Sequence, residues 1–415
     1  MALSVLHINT ADNLGGAARS AYKIHSGVRA LGVRSRMLVR TRVTSDPDVD
    51  LLNGARWRWR LLDGFGARVV DRLGAQYLFY PSSFALLDHP WVRDCQVVQL
   101  YNSHGGYFTH RVLPELSRRR AVVWRLSDMW PFTGHCAYSM DCDRWKTGCG
   151  RCPLLAEYPA LSWDTTARLY RVKERLYAAS RLTIVATNSW METQVRQSPL
   201  LGRFPIHRIP NGVDVSVFRP ADKREARLAL GLDGELPVVL FAAHVARPGT
   251  RKGGEYVTPV LERAAAEGAR FRLVVLGEGA EAWPEARGFP TSRLGFTADN
   301  ARLAQVYSAA DVLLWPAVAE NFPNGIVEAM ACGTPAVAFD TGGVRDAVRH
   351  LETGYLAPYR DSDDLTRGVR RLLDDVALRH RLSEACRRAA VDEYADERQA
   401  RRHHDLYAAL AAESR

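Results

Sequence analysis

No uninterrupted apolar run of roughly 18 residues, the length a membrane-spanning helix needs, occurs in this chain of 415 residues. No membrane span is therefore expected. The opening MALSVLHINTADNLGG alternates into a strand and a glycine turn without a basic n-region, so no secretory leader is expected and the cytoplasm is the expected compartment. No G-x-G-x-x-G fingerprint follows the first strand, which weakens a nicotinamide reading. Nor does the chain carry the aromatic-basic motifs of the standard nucleic-acid modules, and its cations are spread through both halves, which counts against nucleic acid as a partner.

What is present is enough apolar residue, 47% of the chain, to build sizeable cores. A chain this long is expected to split into two domains of roughly 200 residues each. The formal charge of +10 implies attraction to something anionic, such as phosphorylated small molecules or an acidic membrane surface.

The pattern along the chain is strand, glycine loop, helix, repeated. Apolar runs at 4–8, 36–40, 97–100, 121–124 and 182–186 read as strands, and the pattern restarts after Ile209-Pro210-Asn211-Gly212 with runs at 238–241, 273–276, 312–315 and 337–339. Strands alternating with helices predict α/β domains whose parallel sheets are covered on both faces. The expected boundaries are 1–210, 211–392, and a terminal helical segment at 393–415 that could cross back onto the first domain. Paired this way, the domains would face a cleft lined by the loops at the carboxyl ends of both sheets.

The stretch AENFPNGIVEAMACGTPAVAFDTGG, 319–343, concentrates the chemistry. Pro323-Asn324-Gly325 supplies a turn, Ile326, Val327, Met330 and Ala331 fall at helical spacing, and Gly333 with Pro335 stops the helix before a buried strand. Glu320 lies in the loop and Glu328 in the expected first turn, so both could face a ligand, although first-turn glutamates also simply complement the helix dipole. After the strand at 238–241 come Arg247, Arg251 and Lys252 among small and turn residues. Arg247 and Lys252 could clamp a diphosphate from two directions, or form an ordinary solvated basic loop. Gly15 and Gly16 follow the first strand and open a helix, where small residues and unpaired N–H groups let anionic oxygens approach.

Glu320 and Glu328 with seven residues between them, Ala329-Met330-Ala331-Cys332-Gly333-Thr334-Pro335, Gly342-Gly343, Asn211-Gly212-Val213-Asp214 and Ser308-Ala309-Ala310-Asp311 together resemble the family 4 retaining glycosyltransferases of GT-B fold. The resemblance runs over nearly the whole chain and extends to a subgroup linked to bacterial surface-polysaccharide assembly. It implies two Rossmann-like doubly wound parallel-sheet domains and transfer of a hexose-type sugar from a nucleotide diphosphate sugar to a hydroxyl. Configuration would be retained, with no catalytic metal or other catalytic cofactor. The acceptor would be a glycan, a lipid-linked group or a small molecule. By carry-over, Glu328 would hold the ribose hydroxyls, and Glu320 with the backbone from Asn321 to Gly325 would meet the donor sugar. Asn324, Gly325 and Ile326, like Gly15 and Gly16, belong to the expected nucleotide-sugar site. Arg247 and Lys252 would stabilise the departing diphosphate. An epimerase of the same fold, or less readily a zinc-containing nucleic-acid-binding protein, are the alternatives.

Three features stand apart. Where many relatives carry a histidine after the central strand of the first domain, this chain reads Arg125-Leu126-Ser127-Asp128, which leaves Asp128, or His104 from Asn102-Ser103-His104-Gly105, as substitutes. Cys136, Cys142, Cys149 and Cys152 are spaced C-x5-C-x6-C-x2-C and account for four of the seven cysteines. In a reducing compartment that clustering predicts a structural zinc, with buried thiols or disulfides as alternatives. Finally, Trp57, Leu61 and Phe65 recur every four residues beside Arg56, Arg60 and Arg68. Such a helix could lie in a lipid interface, giving peripheral contact with the inner face of the membrane, or could pack on its own domain as most apolar stripes do.

Overall fold

The computed structural model describes residues 3–52, 57–232, 234–246, 248–285 and 287–413. The chain divides into two compact units, Met1–Pro210 with Glu397–Arg415, and Asn211–Asp396.

Among the described residues the first unit carries a seven-stranded sheet, formed by β1 (Ser4–Ala11), β2 (Arg34–Thr41), β3 (Val49–Leu51), β4 (Val97–Leu100), β5 (Ala121–Arg125), β6 (Thr183–Ala186) and β7 (Ile206–Arg208). Their order is β3-β2-β1-β4-β5-β6-β7, with every neighbouring pair parallel. Period-2 alternation sorts the strands' side chains onto two faces. Leu6, Ile8, Val98, Leu100, Trp124 and Ile184 enter one core, whereas Val5, Val97, Val123 and Val185 enter the other. Ala400, Leu406 and Tyr407 of the Asp396–Glu413 helix join that second core. The Tyr407 hydroxyl donates to Gln99 Oε1 of β4 at 2.8 Å, so the last helix is part of what covers the first sheet.

The second unit's six-stranded sheet contains β8 (Val238–Val245), β9 (Arg272–Glu278), β10 (Thr291–Leu294), β11 (Val312–Trp315), β12 (Ala336–Phe339) and β13 (Gly354–Ala357), ordered β10-β9-β8-β11-β12-β13 and all parallel. The same alternation applies: Leu240, Leu313 and Ala338 face one core and Val239, Leu314 and Val337 the other. Every residue of β11 and β12 is buried, which is why these two segments read as unbroken apolar runs in the sequence.

The helix expected near Gly325 spans Asn324–Ala331. It ends in a Schellman arrangement: the Gly333 amide donates to Met330 O and the Thr334 amide to Ala329 O, both at 2.9 Å. Pro335 then leads straight into β12. The helical segment expected from residue 393 onward is placed differently. A long helix, Val376–Tyr394, ends there, Ala395 is extended, and a new helix begins at Asp396. The break follows from pairing: Ala395 bridges Val213, and the Val213 amide donates to Tyr394 O at 2.7 Å.

Candidate functional site

In the second unit the strand order reverses between β8 and β11. In open α/β sheets such a switch point, at the carboxyl ends of the strands, is where ligands bind. Three loops meet there. Glu320 lies on the loop after β11, its side chain only 5% exposed, and accepts a hydrogen bond from Lys252 Nζ of the loop after β8. Arg251 Nη1 stands 3.5 Å from the other carboxylate oxygen and donates to Ala319 O at 3.2 Å. The Lys252 ammonium also lies 4.5 Å from the centroid of the Trp315 ring, a cation–π position. Burial pulls that ammonium below its usual range, and the charge of Glu320 pushes back.

Glycines allow this close assembly. Gly253 (φ 71°) and Gly342 (φ 52°) both have left-handed backbones. A Cβ at Gly253 would overlap Pro316 O, and one at Gly342 would overlap Glu320 O. Gly343, one residue on, donates its amide to Glu320 O at 3.2 Å. Gly253 thus packs against the start of the loop after β11 at Pro316, while Gly342 and Gly343 hold the Glu320 carbonyl.

Glu328 proves to lie in the second turn of the Asn324–Ala331 helix, whose first turn has no acidic residue. The dipole explanation therefore loses its footing, because that effect falls off within one turn. Glu328 is half-buried and accepts from the Tyr307 hydroxyl at 3.1 Å. Burial first, and Glu328 second, push the tyrosine pKa up, so the hydroxyl remains a donor. Asn324 Oδ1 accepts from Asn211 Nδ2 at 2.7 Å. Ile326 is fully buried in the core and its amide donates to Pro323 O at 2.9 Å, so it supports the helix start from within. Gly325 stands between Asn324 and Ile326 against the Trp315 ring. Arg247 lies outside the described residues. Arg251, Trp315 and Tyr307 are the side chains that sequence reasoning did not single out. Adjacency of Arg251 to Lys252, just before a helix-opening glycine, was the one available signal.

The first sheet reverses its order between β1 and β4. Gly15 and Gly16 follow β1 at the start of the Gly16–Ala30 helix, exposed, with no acidic residue in its first turn. His104 follows β4 and Asp128 follows β5, and the structure brings the two together. His104 Nε2 is 2.7 Å from Asp128 Oδ2, and both side chains are buried. The other Asp128 oxygen accepts the Trp130 amide at 3.0 Å. His104 Nδ1 lies 3.3 Å from the Tyr158 hydroxyl. Ser127, standing where the resemblance places a histidine, has its Oγ buried without a hydrogen-bond partner among the described residues.

The cysteine cluster corrects the sequence expectation. Cys136, Cys142, Cys149 and Cys152 do line one pocket, and all four are free thiols. Yet among the described residues no three His, Cys, Asp or Glu side chains are grouped to hold a metal ion. Burial pushes the Cys136 thiol up to about 12 and the Cys149 thiol up to about 11. The Gly134 amide donates to Cys149 Sγ at 3.2 Å, and the Leu154 amide to Cys152 Sγ at 3.4 Å. The structure gives zinc no support.

Residues 236–375, which contain Arg251, Lys252, Glu320 and Glu328, match the family model described as glycosyl transferases group 1. A D-inositol 3-phosphate glycosyltransferase of Segniliparus rotundus is 35% identical over 199 residues, 44% of this chain and 43% of that protein. The chain spans about half the length of the curated relatives it matches. Among solved structures, sucrose-phosphate synthase from Thermosynechococcus elongatus superimposes with a TM-score of 0.66 at 19% identity, covering 99% of each chain. Anabaena Alr3699/HepE in complex with UDP-glucose gives 0.66 at 16% identity, covering 98% of this chain and 100% of that one. These likenesses establish the fold: two Rossmann-like parallel-sheet units of the GT-B type.

Proposed function

We propose that this chain is a retaining glycosyltransferase. It moves a sugar from a nucleotide diphosphate sugar to a hydroxyl of a glycan, lipid-linked or small-molecule acceptor, without an essential metal, in polysaccharide or glycoconjugate assembly. The observation that carries the reading is the Glu320 carboxylate with Lys252 and Arg251 gathered on it, at the switch point of a sheet whose sequence matches the group 1 glycosyltransferases. The nucleotide-sugar complex of a structural neighbour supports the same class of donor.

The chemistry follows from charge. As the bond between the anomeric carbon and phosphate lengthens, negative charge grows on the diphosphate and positive charge on the sugar. Lys252 and Arg251 would stabilise the first and Glu320 the second, from positions fixed before reaction. One such preorganised group commonly contributes a few kcal/mol, roughly a hundredfold or more in rate. Glu328, fixed by Tyr307, would receive the ribose hydroxyls. In the retaining course the acceptor attacks from the face the diphosphate leaves, and a departing phosphate oxygen takes the acceptor proton. Glu320 is then an electrostatic partner of the sugar, consistent with a carboxylate already engaged by two cations.

The test is release of nucleoside diphosphate from a panel of nucleotide sugars with and without hydroxyl acceptors in the presence of a chelator, with the product's anomeric configuration read by NMR. Acceptor-dependent release and an unchanged configuration are expected. An inverted product would remove retention. Interconversion of the donor without an acceptor would remove the transferase reading.

A further inference from the structure

The Trp57–Val70 helix sits on the first unit the opposite way round from an ordinary amphipathic helix. Leu61 (62% exposed), Phe65 (66%) and Leu73 (68%) face outward, as do Leu62 and Val69. Positions 61, 65, 69 and 73 are four apart, and the turn continues past the helix, with the Leu73 amide donating to Val69 O at 3.1 Å. At about 100° per residue these side chains form one stripe, with Leu62 inside it. The face turned inward holds Asp63, Gly66 and Ala67, with Trp59 and Val70 half-buried beside them. Asp63 is buried and accepts the Ser82 amide at 3.2 Å. Gly66 packs so tightly that a Cβ there would come 2.6 Å from Phe79 Cδ1 and 2.7 Å from Phe79 O. A helix normally turns its apolar stripe to the core. Here the close Gly66 contact fixes the opposite orientation. The side chains of Trp57 and Arg60, and all of Arg56, lie outside the described residues.

The charges around the stripe choose its occupant. Arg68 is exposed at its edge and Arg72 is exposed within it, between Leu61 and Phe65 on the same count. The acidic groups are turned away: beside the inward Asp63, Asp71 accepts the Tyr77 amide at 3.0 Å and the Tyr80 hydroxyl at 3.4 Å. A second copy meeting this face through a twofold axis would bring the same arginines toward one another. An anionic lipid surface instead offers an apolar layer and negative headgroups together, at the depths such a stripe and its cations need. We propose that the outward face of this helix, through Leu61, Phe65, Val69 and Leu73 with Arg68 and Arg72, docks the first unit onto an anionic membrane surface. The proposal goes beyond the glycosyltransferase reading. It adds a partner, and its link to that reading is that a lipid-linked acceptor would lie on the same surface.

The test is flotation of the full chain with vesicles of phosphatidylcholine alone and of phosphatidylcholine with about 30% phosphatidylglycerol, at low salt and at about 0.5 M NaCl. Wild type is expected to float with the anionic vesicles at low salt and at least about fivefold less with the neutral vesicles or at high salt. Phe65→Glu is expected to abolish flotation, and Arg68→Gln with Arg72→Gln to reduce it to the level seen with neutral vesicles. Because these side chains are exposed, an unchanged thermal melt confirms that each variant folds. Wild type remaining in the soluble fraction with both vesicles, or Phe65→Glu floating like wild type, overturns the proposal. So does a dimer in size exclusion that Phe65→Glu disperses, which would make a second copy the occupant. Donor-dependent release of nucleoside diphosphate with a soluble acceptor, measured on the same preparations, separates the two ideas: its absence sinks the glycosyltransferase reading and leaves flotation untouched.

Discussion

Lys252 donates a hydrogen bond to Glu320 across 68 positions of sequence, joining the loop after β8 to the loop after β11. The cation expected to face a diphosphate and the carboxylate expected to face a sugar are therefore one electrostatic unit, with Arg251 as its third member. Removing either partner changes the other.

Lys252→Ala and Glu320→Gln are each expected to lower kcat by about a hundredfold, the usual cost of one preorganised charge. The double variant should lose clearly less than the product of the two losses, because residues in one ion pair couple. Steady-state kinetics on the four proteins checks this. Fully multiplicative losses would show that the two act separately.

Glu328→Ala is expected to weaken nucleoside diphosphate binding by about tenfold or more, since hydrogen bonds to a charged group contribute about 1.5–3 kcal/mol. Glu320→Ala should mainly lower turnover. Tyr307→Phe, which removes the hydroxyl fixing Glu328, should shift affinity in the same direction as Glu328→Ala but by less. Calorimetric titration of the three variants decides, and equal wild-type affinities would remove Glu328 from the nucleotide site.

His104 and Asp128 are expected to act as a pair on the reacting centre or the acceptor. His104→Ala should reduce transfer by about a hundredfold, the lower end of the range for a positioned acid or base. Nucleoside diphosphate affinity should stay unchanged, and His104→Gln, which keeps a hydrogen-bonding end, should recover part of the rate. Full activity in His104→Ala together with a lowered Tm would assign the pair to structure alone.

Acid should destabilise the first unit before carboxylates titrate. Burial above all keeps His7, His25 and His403 below the usual imidazole value of 6.5, with the Arg125 charge adding to the effect at His403. These groups are neutral when folded and take up protons on unfolding, so stability is full above about pH 6.5 and falls as the pH drops. Each contributes a slope of up to about 1.4 kcal/mol per pH unit. Neither ring nitrogen of His403 has a hydrogen-bond partner among the described residues. His403→Leu is therefore expected to fold and to flatten the loss of Tm between pH 7 and pH 5. An identical pH dependence in the variant would exclude His403 from the effect.

Much of the architecture is local and can be read directly. Val97-Val98-Gln99-Leu100 and Ala336-Val337-Ala338-Phe339 are strands because every residue in them is apolar or buried on one of two covered faces. The helix before β12 stops where Gly333 and Pro335 make it stop. By itself, then, the sequence determined element type, the repeating α/β order and the stretch that carries Glu320 and Glu328, because those depend on periodicity and turn chemistry over a few residues. Tertiary structure decided which charges meet. Lys252 reaches Glu320 and His104 reaches Asp128 only because parallel strands bring distant loops to one sheet edge. It also gathered the four cysteines of the cluster around one pocket and buried Cys136, whose thiol that burial pushes up, a degree of burial that spacing alone does not reveal. The Trp57–Val70 helix shows the limit most plainly. Periodicity tells which side chains share a stripe, but the close fit of Gly66 on Phe79, a contact between separate segments, decides that the stripe faces outward.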